Sequence, residues 1–80
     1  MDAFTFITNL TGKLDGAGYS DTSWSADKER ITIRVRDKGL EYLLAISITE
    51  INYSIADLSE YCANKIIRAF EDKAAERAAG

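Results

Sequence analysis

Arg30-Ile31-Thr32-Ile33-Arg34-Val35-Arg36-Asp37-Lys38-Gly39-Leu40-Glu41-Tyr42-Leu43-Leu44-Ala45-Ile46 is the stretch that decides the fold. Ile31, Ile33 and Val35 alternate with Thr32, Arg34 and Arg36, the period of a strand with one buried face and one wet face. Asp37-Lys38-Gly39 supplies a turn, with glycine free to take a positive φ. The apolar pattern then sets the register of the next strand, which should run from about Leu40 to Thr49. If Asp37 lies opposite Leu40, Val35 meets Tyr42, Ile33 meets Leu44 and Ile31 meets Ile46, so every large apolar residue falls on one side. A three-residue loop would set Val35 against Glu41 and lose that agreement, so a two- or four-residue loop is expected. The same register pairs Arg36 with Glu41 across the strands.

Working outward toward the N-terminus, Thr22, Trp24 and Ala26 alternate with Ser23 and Ser25, which predicts a first strand at the sheet edge. Before it, Ala3, Phe6, Ile7, Leu10 and Leu14 recur at spacings of three and four and form one apolar stripe of a helix. Asp2 is placed to cap that helix, and Gly16 and Gly18 to end it. Thr5, Thr8 and Thr11 lower its intrinsic propensity, so docking must hold it.

On the C-terminal side, Ser54 followed by Asp57 has the spacing of a capping box. It precedes the stripe Ile55, Leu58, Cys62, Ile66, Phe70 and Ala74. A second, long helix is expected from about Ser54 to beyond Lys73. The last residues, from about 75, have helix-forming character but nothing large to bury, and are expected to fray. The order is helix, three strands, helix. With one apolar stripe on each helix and one apolar face on the sheet, the expected fold is a single α+β domain over residues 1–80, a two-layer sandwich whose other sheet face is left open.

Composition bounds what such a domain can do. Its 80 residues allow one core, and 46% hydrophobic with 29% charged residues is ordinary for a globular chain. There is no histidine and a single cysteine, Cys62. That removes the commonest general base and the usual metal-ligand sets, and it leaves no intramolecular disulfide. Cys62 lies on the apolar stripe and reads as a buried structural thiol. Glu71 and Asp72, and Asp57 and Glu60, read as solvated helix surface rather than catalytic pairs, because a small sandwich offers no deep cleft to perturb them. The glycines match no phosphate-binding or dinucleotide-binding pattern. No enzyme activity and no cofactor are expected.

The opening Met-Asp-Ala-Phe-Thr-Phe lacks the basic flank and apolar run of a secretion signal, and Leu43-Leu44-Ala45-Ile46 is too short to cross a bilayer. A cytoplasmic protein is expected. Net charge is −3 and unevenly spread. Asp2, Asp15, Asp21 and Asp27 stand against Lys13 in the first third, while Lys28, Arg30, Arg34, Arg36 and Lys38 make one hairpin locally basic.

Binding is the reading that remains. The open sheet face carries Arg34, Arg36 and Leu43, and the outer side of the second helix carries Tyr61 with Lys65 and Arg68. Tyrosine and arginine are the residues that anchor protein interfaces. Trp24 is a further candidate anchor. The order of elements matches the double-stranded-RNA-binding domain, whose phosphate contacts come from bases at the start of its second helix. Here that segment, Asn52-Tyr53-Ser54-Ile55-Ala56-Asp57-Leu58, holds no base at all. A nucleic-acid module using Arg30, Arg34 and Arg36 and a small self-associating adaptor or chaperone stand as alternatives, and the chain is expected to be a monomer or a weak homodimer.

A short, acidic, histidine-free domain with two helices on a small antiparallel sheet resembles the phage-encoded anti-defence proteins, especially the anti-CRISPR proteins. The resemblance is carried by the whole chain: the order from Ala3 to Phe70, the acids Asp2, Asp15, Asp21 and Asp27, and the lack of a catalytic motif. It implies a protein partner, a subunit of a CRISPR surveillance complex, whose basic DNA groove is blocked in the host bacterial cytoplasm. It also implies Asp15, Asp21, Asp27, Asp57 and Glu60 as acidic contacts.

Overall fold

The computed structural model describes residues 1–79, the side chain of Ala79 excepted. Its elements are α1 (Ala3–Gly16), β1 (Asp21–Ala26), β2 (Arg30–Asp37), β3 (Leu40–Ser47), α2 (Ile48–Tyr53) and α3 (Leu58–Ala79). The three strands form one antiparallel sheet in the order β1-β2-β3. The architecture is the expected α+β arrangement, with a short extra helix between the sheet and the long helix.

The hairpin has the register that its apolar residues require. Asp37 lies opposite Leu40, Val35 opposite Tyr42, Ile33 opposite Leu44 and Ile31 opposite Ile46. The loop is the two-residue Lys38-Gly39, with φ of 50° and 81°, so both central residues are left-handed as a type I′ turn demands. Lysine is not at ease there. The Arg77 guanidinium, far along α3, donates to the Lys38 carbonyl at 3.1 Å and ties the turn to the helix.

Helix α1 is fixed at both ends by local chemistry. The Asp2 carboxylate accepts from the Thr5 amide at 2.7 Å. At the other end Gly18, at φ 96°, allows its own amide to reach Asp15 O and the Tyr19 amide to reach Leu14 O at 2.8 Å, the double closure that glycine makes possible. Tyr19 is thereby set on Phe70 of α3, ring centroids 5.2 Å apart. Phe6, Ile7, Leu10 and Leu14 from α1 meet Ile31, Ile33 and Val35 from β2, Ile46 and Ile51, and Cys62, Ala63, Ile66 and Phe70 from α3 in one core.

The segment between β3 and α3 departs from expectation. β3 ends at Ser47 rather than Thr49, and the chain turns directly into α2, which buries Ile51 completely. The Ile48 amide makes the last hydrogen bond to β2's side, on Glu29 O at 2.9 Å, before the helix takes over. α3 starts at Leu58 instead of Ser54, so Ile55 is not part of its stripe and is fully exposed. Ser54 closes a local turn on Ala56. Asp57 alone serves the helix start: its carboxylate accepts from the Ser59 amide at 3.0 Å and from the Ser59 hydroxyl, which gives the fully buried Ser59 a partner. At the far end α3 stays helical to Ala79, exposed from Glu71 to Ala78 and held by Arg77 and by the Lys73–Glu76 pair at 3.3 Å.

Candidate protein-binding face

Antiparallel register places directly opposed residues on the same side of a sheet. On the side away from the helices the three strands therefore present three rows: Asp21, Arg36 and Glu41; Ser23, Arg34 and Leu43; Ser25, Thr32 and Ala45. All of these residues are exposed except the half-buried Thr32. Glu41 lies between the two arginines, with Arg36 Nε at 2.9 Å and Arg34 Nε at 3.6 Å from its carboxylate oxygens. The three side chains are about half exposed, so the pairs contribute stability of no more than about 1 kcal/mol. Their larger effect is on the surface itself. Arg36, with Glu41 on one side and Asp21 on the other, offers little net positive charge to a phosphate. Leu43 stands beside them on β3 at 54% exposure.

The residues expected to form a binding surface fall into separate groups. Arg34, Arg36, Leu43 and Asp21 share the open face. Asp27 lies just past the opposite end of β1 from Asp21, about 20 Å away at strand spacing. Its carboxylate accepts the Glu29 and Arg30 amides at 2.7 and 2.9 Å, shaping the β1–β2 turn. Asp57 caps α3 and shares a shallow dent with Thr8, Asn9, Gly12 and Lys13 of α1. Tyr61, 64% exposed, borders another dent with Lys65, Arg68 and Glu71, in the helix layer. Glu60 is exposed on the same helix, and Asp15 is exposed at the end of α1. The Arg36–Glu41 pair stands as the hairpin register requires, and the further contact of Glu41 with Arg34 comes only with the structure. Sequence reasoning overlooked the fully exposed Ile55 and 83% exposed Tyr53 of the α2–α3 connection. Trp24 is 51% exposed although its register puts it on the helix side, because the helix layer leaves β1 uncovered.

The hydrogen-bonded acids carry a pH signature. The Ser59 hydroxyl holds the Asp57 carboxyl below its ordinary range, and the Glu29 and Arg30 amides do the same for Asp27, as Thr5 does for Asp2. A carboxyl lowered on folding stabilises the native state above the unfolded carboxylate pKa of about 4, and that stability is lost as pH falls through the folded value. The thermal midpoint should be flat from neutral pH to about 5 and fall below about 4. Asp57→Asn keeps an accepting oxygen without a titrating group, so its midpoint should fall less steeply over the acid range; an unchanged slope would remove Asp57 from the account. Cys62 behaves oppositely, since burial pushes its thiol up and keeps it neutral.

Among the described residues no acids and thiols gather into a group fit for a metal ion, and no helix is long and apolar enough to cross a membrane. Comparison with protein-family models, with curated proteins and with solved structures gives no match.

Proposed function

We propose that this chain is a non-enzymatic protein-binding inhibitor of the anti-CRISPR kind: it docks on a subunit of a CRISPR surveillance complex in the cytoplasm of a phage-infected bacterium and keeps target DNA out. The observation that supports the reading is the uncovered sheet face, where Leu43 stands exposed beside the Arg34–Glu41–Arg36 cluster. An exposed apolar side chain flanked by paired charges combines the apolar and polar elements from which interfaces are built. Glu41 between the two arginines favours a protein partner over nucleic acid, because a phosphate would have to compete with a carboxylate already in place. The scattered acids argue for occlusion by docking rather than for a continuous imitation of a DNA strand. Affinity-tagged chain expressed in bacteria with an active CRISPR system should retain effector subunits. Their absence from the retained fraction, with the system present in the lysate, would overturn the proposal.

A further inference from the structure

The backbone of β1 is half used. The Asp27 amide bonds Arg30 O at 3.0 Å, which fixes the alternation along the strand: Ser25, Ser23 and Asp21 turn their backbone groups toward β2. Thr22, Trp24 and Ala26 therefore turn their amides and carbonyls to the open edge, and no backbone bond ties them to another element among the described residues. Edge strands of this kind are ordinarily guarded by lysine, proline or a bulge. From Thr22 to Ala26 β1 has no charge and no proline, and its register against β2 runs unbroken from Asp21 to Ala26. The side chains of its helix-facing row, half-buried Thr22 and exposed Trp24 and Ala26, lie outside the helix layer. The β3 edge differs, since Leu40, Tyr42 and Leu44 are half-buried against the core and Ile46 is buried, so helices stand over it.

The geometry points to a second copy of this chain as the occupant of the β1 edge, in an antiparallel β1–β1 pairing that joins two sheets into one of six strands. Same-face pairing permits two registers centred on the strand. One sets Trp24 against Trp24 and brings Asp21 of each copy opposite Asp27 of the other, a like-charge contact at both ends. The other sets Ser23 against Ser23, Thr22 against Trp24 and Asp21 against Ser25, and lets exposed Ser20 extend the ladder against Ala26. Charge and hydrogen bonding both select the second. Its two helix layers stand on the same side of the joint sheet, and each Trp24 lies across a threonine of the other copy. The Ser20–Ala26 edge is small against a standard interface of about 1,600 Å², so the dimer is a weak one, reversible on dilution. This inference does not rest on the partner proposed above: the pairing runs through the backbone edge of β1, and Leu43 with the Arg34–Glu41–Arg36 cluster stays uncovered in the dimer.

The register makes a charge-swap test decisive. Sedimentation velocity over rising concentration should show the native chain passing from monomer to dimer, with the emission of its sole tryptophan, Trp24, shifting to the blue in step. Ser23→Lys and Ser23→Asp each place like charges on the two-fold axis and should each raise the dimerisation midpoint about two- to fivefold. An equimolar mixture of the two should restore a dimer. A native chain that stays monomeric, single variants that dimerise like the native chain, or a mixture that remains monomeric would overturn the inference.

Discussion

Phe70→Ala is expected to destabilise the domain by about 3–5 kcal/mol, read as a shift of the urea midpoint with the native circular dichroism retained below it. Phe70 is 5% exposed, is stacked on Tyr19 and sits where α3 crosses the end of α1, so its removal opens a cavity in the core and strips Tyr19 of its neighbour. A domain of this length has roughly 4–12 kcal/mol of stability in all. The loss is therefore a large share of the total. Ile55→Ala is the internal comparison, because the sequence pattern puts Ile55 on the same stripe while the structure leaves it fully exposed. It should move the midpoint by no more than about 0.5 kcal/mol. Equal effects of the two substitutions would contradict the start of α3 at Leu58.

Ile33→Ala and Arg34→Ala make the second pair, adjacent in sequence and opposite in the sheet. Ile33 is completely buried at the centre of β2 under the helices, and its truncation should cost about 2–5 kcal/mol. Arg34 loses one long, half-exposed ion pair to Glu41, worth no more than about 1 kcal/mol. The ratio reports directly on the one-sidedness of the sheet. A large loss at Arg34 would mean that something packs over the face assigned to binding.

The hairpin was legible because two constraints coincide in it: apolar alternation along both strands, and a glycine-containing turn whose loop must have an even length for the apolar rows to meet. The structure narrows the Asp37-Lys38-Gly39 turn to a Lys38-Gly39 loop with Asp37 in β2. Asp2, Gly18 and the α1 stripe were legible for the same reason, each residue having one local task. The segment Ile46 to Asp57 was not, because Ile46 and Ile48 continue a strand's alternation while Ile48 and Ile51 sit at helical spacing. Only the burial of Ile51 resolves the choice. Ser54 and Ile55 were misleading since both fit the phase of α3, and the competition was settled by Asp57, whose hydrogen bonds to Ser59 start the helix four residues later. For the candidate site, register gave the rows of the open face, including Arg36 against Glu41. The separation of Asp57, Glu60 and Tyr61 from Leu43, and the exposure of Trp24, depend on where the helix layer settles, which no residue of β1 reports.

The proposal that unites these features is inhibition by docking through the uncovered sheet face. Its most direct test is the binding of labelled target DNA to purified CRISPR surveillance complexes from the host, measured with rising amounts of the native chain and of Leu43→Glu. The native chain should abolish DNA binding at stoichiometric excess, and Leu43→Glu, folded but carrying a charge in place of the exposed apolar side chain of the face, should leave it intact. DNA binding that persists with the native chain, or that Leu43→Glu abolishes equally well, would contradict the account.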